Sequence, residues 1–159
     1  QGENTSTKSI EKAKEIFKIS GSSFVTVNKE IYGFILNRLQ GALLNEAMRL
    51  YSEGYASSED IDATIKDGLG LRWAFMGPFE TIDLNAPGGI KDYMARYGSI
   101  FIEMAKSQTK IPDWSENAGK KLELERRKVL SEDDLEKRAK KRNFLLKQLR
   151  KLKIDNDET

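Results

Sequence analysis

Two polar side chains occupy positions where they could take part in chemistry. Asn37 stands between two leucines near the start of a long helical pattern, and its amide needs hydrogen-bond partners if it is buried. Arg72 lies in a stretch rich in glycine and aromatic residues, and its guanidinium can hold a carboxylate or phosphate through two parallel hydrogen bonds. Each has a structural alternative. Asn37 can be an amide at a solvated edge or one satisfied by a neighbouring loop, and Arg72 can be the ion-pair partner of Asp67 or Glu80.

The residue types that the chain lacks exclude several classes of catalyst. The 159 residues contain no cysteine and no histidine, which excludes disulfides, thiolate or imidazole metal sites and a Ser-His-Asp triad. Acid or base catalysis would fall to carboxylates, lysine or tyrosine, which titrate far from neutral pH unless their pKa is shifted. Asp60, Asp62 and Asp67 lack EF-hand spacing, so no metal site is predicted. The composition points away from a self-sufficient enzyme.

A phosphate-binding loop is not indicated either. Gly68 and Gly70 are close together, but the third glycine of a dinucleotide fingerprint is missing and no Gly-Lys-Ser/Thr follows. We therefore expect no cofactor-binding residue in this chain. Residues 68–78 are instead rich in apolar side chains and are predicted to form a buried or ligand-facing loop.

The elements that must position these residues all have helical patterns. Apolar residues recur at helical spacing, and serines and glycines mark the ends of each pattern. We predict an all-α bundle in one domain, 1–159, with an opening helix and extended segment (1–28), a core region (29–112) and basic C-terminal helices (113–159). The predicted helices are one around residues 10–17 that ends at Gly21, a central one over 31–53 that ends at Gly54, one capped by Ser57 that ends at Gly68, one carrying a stripe from Tyr93 to Met104, and a C-terminal one after a capping box at Ser131.

Charge is distributed unevenly along the chain. Residues 119–153 hold 14 Lys or Arg and 6 Asp or Glu, a net charge of +8, which leaves −6 for the remaining residues. Such a tail could bind nucleic acid or an anionic membrane through phosphate groups. Its charges follow helical spacing around leucines and mix with acidic residues, which favours a solvated helix packed on a protein partner. We therefore predict neither a nucleic-acid nor a membrane partner.

Targeting signals are sparse. The most apolar stretch, residues 31–51, is interrupted by charged and amide side chains and predicts a helix of a soluble protein rather than a membrane span. The first residues contain neither an initiator methionine nor a signal-peptide pattern, so we expect an internal start or a cloning remnant. We expect a cytoplasmic protein.

Several short motifs between residues 31 and 85 resemble one family, the C-terminal domain of the 3-hydroxyacyl-CoA dehydrogenases. Residues 70–78, with their arginine, and the basic and leucine spacing of the tail are similar to the lambda-crystallin branch of that superfamily, whose soluble enzyme is an L-gulonate 3-dehydrogenase. Tyr32 departs from the proline that is common before Gly-Phe in the acyl-CoA enzymes, which weakens the assignment to a fatty-acid enzyme, the alternative within the superfamily. The motifs are Gly-Phe-Ile-Leu-Asn-Arg-Leu at 33–39, Glu46-Ala47, Glu53-Gly54, Asp60-Ile61-Asp62, Gly68-Leu69-Gly70 and Met76-Gly77-Pro78-Phe79-Glu80.

The resemblance implies a division of labour within a longer enzyme. In this family an N-terminal Rossmann domain binds NAD and supplies a catalytic histidine with its glutamate partner. An all-α domain of the 6-phosphogluconate dehydrogenase C-terminal type completes the substrate cleft and forms a homodimer. The resemblance implies that NAD belongs to the full-length protein, that this chain begins just after the glutamate, and that the isolated chain is inactive.

The resemblance also assigns roles to individual residues. Asn37 matches the active-site asparagine, whose amide would orient the substrate oxygen for hydride transfer. Arg72 occupies a position specific to the lambda-crystallin branch and is predicted to bind the carboxylate of a small hydroxy acid. Arg38 and Glu80 are predicted to form an ion pair that supports the cleft. Two other classes remain open: a non-enzymatic structural or interaction module, and a nucleic-acid binder through residues 119–153.

Overall fold

The structure, a computed structural model, describes residue 2 and residues 4–156, and helices are the regular secondary structure of this part of the chain. The predicted all-α class is confirmed. None of the helices in these residues combines the length and apolar character that crossing a membrane requires. In chain order the elements are α1 (Thr7–Ile19), α2 (Phe34–Ser52), α3 (Ser58–Ala63), a π-helical turn (Thr64–Leu69), α4 (Gly70–Trp73), α5 (Pro78–Leu84), α6 (Gly89–Ser107), α7 (Glu116–Val129), a 3-10 turn (Glu132–Asp134) and α8 (Leu135–Asn156).

The chain groups into two compact units, Gln1–Leu44 and Asn45–Thr159, and α2 contains the boundary between them. The first unit begins with α1, which Ser6 caps by accepting a hydrogen bond from the Ser9 amide at 3.2 Å. The helix ends as predicted at Gly21, whose φ of 66° allows the Ser22 amide to donate back to the Phe17 carbonyl at 2.9 Å.

The central helix α2 begins three residues later than predicted. Gly33 and Phe34 have φ values of 83° and 49°, and the Phe34 amide donates to the Ile31 carbonyl at 3.0 Å. These left-handed residues close a tight turn before the helix starts, so residues 31–33 lie outside it. At its other end α2 stops at Gly54 (φ 78°), as expected.

The segment after Gly54 contradicts one prediction. Ser57 caps α3 as predicted: its hydroxyl accepts from the Asp60 amide at 3.1 Å and donates to the Asp60 carboxylate at 2.6 Å. Gly68 does not end this helix, however, because the chain continues through the π-helical turn into α4. The loop predicted over residues 68–78 is thus wrong for residues 68–73, which are helical. A π-helical turn contains one extra residue, and this disrupts the 3.6-residue periodicity on which the prediction relied.

Helix α6 forms as its stripe of apolar residues predicts, and a side chain of α5 caps its first turn. The Asp83 carboxylate accepts a hydrogen bond from the Ile90 amide at 2.6 Å, which satisfies a free donor of the first turn of α6. Along the stripe, the Tyr93 ring lies 4.8 Å from that of Tyr97 and 6.2 Å from that of Phe101. The helix therefore carries a row of aromatic rings in mutual contact.

Helix α7 is attached to α3 by polar contacts. The Glu125 carboxylate accepts from both the amide and the hydroxyl of Ser58 at 2.8 Å, and Arg126 pairs with Asp62 at 3.2 Å. Ahead of α7, the Trp114 indole donates to the Asn45 side chain on α2 at 3.0 Å. These bonds hold α7 and its preceding linker against the start of the second unit.

The predicted capping box at Ser131 forms differently. The Ser131 hydroxyl donates to the Asp134 carboxylate at 3.0 Å, but the Asp134 amide donates to the Ser131 carbonyl, which makes a 3-10 turn before α8.

Few side chains are buried in the described part of the chain. Met48 and Ala86 are the buried apolar residues of the described part, at 7% and 8% exposure, with Ser58 and Thr81 as buried polar ones.

Candidate functional site

Asn37 lies in the first turn of α2, immediately after the left-handed turn at Gly33 and Phe34. Its side chain is exposed and faces a shallow depression of about 480 Å³, which residues 30–34 also line. Its amide makes no hydrogen bond to another side chain or backbone group of the described residues, so it is not satisfied by a neighbouring loop there. The amide can therefore both donate to and accept from a ligand in this depression.

The backbone beside Asn37 is strained. A left-handed conformation at a non-glycine residue such as Phe34 (φ 49°) costs on the order of 1–3 kcal/mol. Gly33 carries the other left-handed angle without this cost, because it has no Cβ. The two residues together set where α2 begins and hence the position of Asn37 on its first turn. Strain of this kind is concentrated at ligand sites, and it was not visible in the sequence pattern.

Arg72 lies on helix α4 rather than in the predicted loop, and its side chain is exposed. One of its two alternative ion-pair partners, Asp67, is paired with Lys66 at 3.1 Å. Within the described residues of the second unit, Arg72 forms no ion pair with Glu80 or with any other carboxylate. The geometry therefore leaves the guanidinium free to hold an external carboxylate through two hydrogen bonds.

The glycines before Arg72 are part of the helical segment and do not form a phosphate-binding loop. Gly70 donates its amide to the Ile65 carbonyl across the π-helical turn. A Cβ on Gly70 would lie 2.9 Å from the Ile65 oxygen, so glycine is required for this close approach. A dinucleotide fingerprint needs free glycine amides at a turn between a strand and a helix. Gly68 and Gly70 do not provide this, so these residues do not fit NAD.

Arg38 and Glu80, which were predicted to pair, belong to different units. Neither forms an ion pair within the described residues of its own unit, and their pairing stays a prediction. In the same residues, no group of three or more carboxylates lies close enough together to hold a metal ion.

The sequence analysis did not single out two residues of α7, Glu125 and Arg127. Hydrogen bonds from the Ser58 amide and hydroxyl lower the pKa of Glu125, and the interaction of this carboxylate with Tyr51 lowers it further. Burial, together with this contact to Glu125, raises the pKa of Tyr51. The Nε and Nη1 atoms of Arg127 are buried without a hydrogen-bond partner in the described structure. In the sequence, Glu125 and Arg127 look like ordinary charged residues of a basic helix. Only their packing in the structure distinguishes them from the other charged residues of α7.

Comparison with known proteins identifies the family. Residues 33–142 match the family described as 3-hydroxyacyl-CoA dehydrogenase, C-terminal domain. The chain belongs to this family. Asn37 and Arg72 both fall within the matched residues, as do the π-helical turn and the contact between α3 and α7.

Relatives of this 3-hydroxyacyl-CoA dehydrogenase C-terminal domain include crystallins and dehydrogenases. The chain is 40% identical to rabbit (Oryctolagus cuniculus) lambda-crystallin over 151 residues, 94% of this chain and 47% of the relative. It is 35% identical to the human lambda-crystallin homolog over the same shares. It is 40% identical to L-carnitine dehydrogenase of Streptomyces coelicolor over 98 residues, 61% of this chain and 31% of the relative. These identities over nearly the whole chain confirm the predicted likeness to lambda-crystallin. The chain spans about half the length of these lambda-crystallin relatives.

Proposed function

We propose that this chain is the substrate-binding and dimerisation domain of an NAD-dependent 3-hydroxy-acid dehydrogenase of the lambda-crystallin type. The observation that carries the proposal is the exposed Asn37 amide beside a ligand-sized depression. The resemblance of residues 33–39 assigns this asparagine to the active site. The rest of the catalytic machinery, a histidine with its glutamate partner, would belong to a Rossmann domain in the longer protein. The longer protein would be a cytoplasmic homodimer.

Asn37 would act by hydrogen bonding. The reacting oxygen of the substrate loses its proton during oxidation, and an amide N–H held on a helix can orient this oxygen without being rearranged. The short turn at Gly33 and Phe34 fixes the first turn of α2 and hence the direction from which the amide approaches. Asn37 would be a catalytic residue only in the sense that it touches the reacting oxygen.

Arg72 would hold the acid group of the substrate. L-Gulonate and L-carnitine differ in their chains, but both are 3-hydroxy carboxylates, and relatives of this chain include enzymes named for carnitine. An exposed guanidinium without an ion-pair partner in the described unit suits the feature that these acids share. An acyl-CoA thioester has no carboxylate at the corresponding place, so Arg72 would have no such role in a fatty-acid enzyme. That enzyme is therefore the second candidate.

NAD would supply the hydride acceptor and would be bound outside this chain. The glycines that come nearest to a dinucleotide motif, Gly68 and Gly70, are used by the helix. Cofactor binding in the proposed enzyme would fall to the Rossmann domain of the longer protein, and this chain would shape the substrate side of the cleft.

The proposal is tested by Asn37→Ala in the longer protein that contains this chain. We expect kcat and kcat/KM for L-gulonate to fall together by about 100-fold, the usual cost of losing one donor to a reacting oxygen. Gln148→Ala serves as the matched control, because it removes an exposed amide from helix α8, which belongs to the other unit. Circular dichroism should show the same helix content in both variants.

The result also separates the candidate functions. Unchanged turnover in Asn37→Ala would remove the proposed role of this residue. Activity on a 3-hydroxyacyl-CoA with none on L-gulonate or L-carnitine would favour the fatty-acid enzyme. A longer protein that oxidises none of these substrates with NAD would contradict the enzyme proposal as a whole.

A further inference from the structure

A second depression adjoins the one that Asn37 faces. It has a volume of about 660 Å³, and its lining residues all belong to the first unit. Glu30 and Phe34 line both depressions, so the two are neighbours and one ligand can extend from the first into the second. We name the second one the polar depression, because four of its lining residues carry polar side chains: Thr5, Thr26, Asn28 and Glu30.

The polar side chains of this depression have hydrogen-bonding groups available for a ligand. Thr26, Asn28 and Glu30 are exposed, and their side chains form no hydrogen bond or ion pair with the described residues. The Thr5 hydroxyl accepts from the Gly2 amide at 3.0 Å, which leaves its own proton available for donation. The depression thus offers both donors and acceptors to a molecule that enters it.

Charge restricts which end of a substrate the two depressions accept. Among the described residues that line them, Glu30 is the one charged residue. A carboxylate repels an acid group, so a 3-hydroxy acid whose reacting oxygen lies at Asn37 would point its acid end away from Glu30. The other end of the molecule, its tail beyond the reacting carbon, is then directed toward the polar depression.

A hydroxylated tail suits this lining better than a cationic or an alkyl tail. Hydroxyl groups donate to a carboxylate and exchange hydrogen bonds with threonine and asparagine side chains. A quaternary ammonium group is bound by the faces of aromatic rings. Phe34 is the one aromatic residue among the described residues of the polar depression, and Tyr32 in the neighbouring depression is 97% exposed and encloses nothing. An alkyl tail would displace water from the polar groups without replacing its hydrogen bonds.

We propose that the polar depression is the subsite for the substrate tail, and that Glu30 and Asn28 select a chain with hydroxyl groups beyond the reacting carbon. This inference rests on the proposed function and adds the residues that set its substrate specificity. Glu30, which lines both depressions, accepts from the hydroxyl nearest to the reacting carbon. Asn28 and Thr26, which line the polar depression alone, bind the hydroxyls further along the tail.

The experiment compares substrates with and without tail hydroxyls in the longer protein that contains this chain. With NAD present, kcat/KM is measured on L-gulonate, which has tail hydroxyls, and on L-3-hydroxybutyrate and L-carnitine, which have none. If either of these two is not oxidised, its inhibition constant against L-gulonate takes the place of kcat/KM. The readout is the selectivity, the ratio of the value for L-gulonate to that for each of the other acids.

Glu30→Ala should lower this selectivity about tenfold, because the tail hydroxyl loses a charge-assisted hydrogen bond. Asn28→Ala removes an uncharged partner and should lower it about fivefold. Glu11→Ala is the matched control, since it removes an exposed carboxylate from α1 in the same unit and lines neither depression. It should leave the selectivity unchanged, and circular dichroism should show the same helix content in all three variants.

Glu30→Gln separates hydrogen bonding from charge. Its amide keeps an acceptor oxygen but carries no charge, so it should recover part of the selectivity that Glu30→Ala loses. If Glu30 instead bound a cationic tail, both variants would lose activity on L-carnitine, and neither would lose it on L-gulonate. That result would overturn the inference.

The other contrary results separate this inference from the proposed function. Unchanged selectivity in Glu30→Ala, whether activity is kept or lost on every substrate, would overturn the inference and leave the proposed function standing. A longer protein that oxidises L-3-hydroxybutyrate or L-carnitine but not L-gulonate would do the same. One that oxidises none of the three acids would overturn both. Asn37→Ala gives an independent result, because it should reduce activity on all of the substrates.

Discussion

The role of Arg72 depends on whether a carboxylate of the folded chain pairs with its guanidinium. In the sequence it had two nearby carboxylates as structural partners, and no pattern could decide between pairing and ligand binding. In the structure Asp67 pairs with Lys66, and Arg72 stands on α4 with its guanidinium exposed. Whether Lys66 or Arg72 pairs with Asp67 is a matter of side-chain geometry, which spacing alone does not encode.

The role proposed for Arg72 predicts a change in substrate affinity. In the longer protein, Arg72→Ala should raise KM for L-gulonate by about 10- to 100-fold, the cost of a lost charge-assisted contact. Steady-state kinetics on L-gulonate and on a neutral 3-hydroxy substrate would measure it. The control Lys110→Ala removes an exposed cation from the linker before α7. An equal loss on both substrates would contradict carboxylate binding.

At the scale of elements, caps were predictable and the π-helical turn was not. Ser57, Gly21 and Gly54 end or begin helices where the sequence says, because their effects depend on one residue and its nearest neighbours. The turn over Thr64–Leu69 has no such local marker. Its extra residue shifts the apolar pattern, so residues 68–73 look irregular in sequence although they are helical.

The π-helical turn predicts opposite effects for two glycine substitutions. Gly98→Ala, inside α6 with open space around it, should stabilise the chain by about 0.5–1 kcal/mol. Gly70→Ala should give no such gain and should destabilise the chain, because its Cβ would meet the Ile65 carbonyl oxygen at 2.9 Å. Urea unfolding of both variants measures the difference. Equal stabilisation would mean that the π-helical turn relaxes to ordinary α-helix at no cost.

For the whole molecule, the polar contacts between helices could not be foreseen from the sequence. Glu125 is one of several acidic residues in α7, and nothing in its neighbours distinguishes it from Glu123. The structure joins it to Ser58, 67 residues away in the chain. The described part buries few apolar side chains, so we expect the loss of such a contact to be measurable in its stability.

Glu125 therefore predicts a pH dependence of unfolding. Its pKa in the folded chain is lowered below the ordinary value of 4.5, chiefly by the Ser58 amide. A lowered pKa stabilises the fold above the unfolded-state value, and this contribution disappears as pH falls through the folded-state pKa. Glu125→Gln should lower the Tm at pH 7, and its deficit relative to wild type should shrink below pH 4.5.

The control for this measurement is Glu123→Gln, which removes an exposed carboxylate from the same helix. It should leave both the Tm at pH 7 and its acid dependence close to those of the wild type. A constant Tm difference between Glu125→Gln and wild type down to pH 3 would contradict the role of the carboxylate charge.

The positions of the two tryptophans decide what fluorescence can report. Trp114, bonded to Asn45, and Trp73, next to Arg72, both belong to the unit Asn45–Thr159. The first unit contains no tryptophan. Tryptophan emission thus originates in the second unit alone, and Trp73 makes it an optical probe of ligand binding at its neighbour. A tryptophan introduced at the exposed Tyr32 would add a second probe beside Asn37.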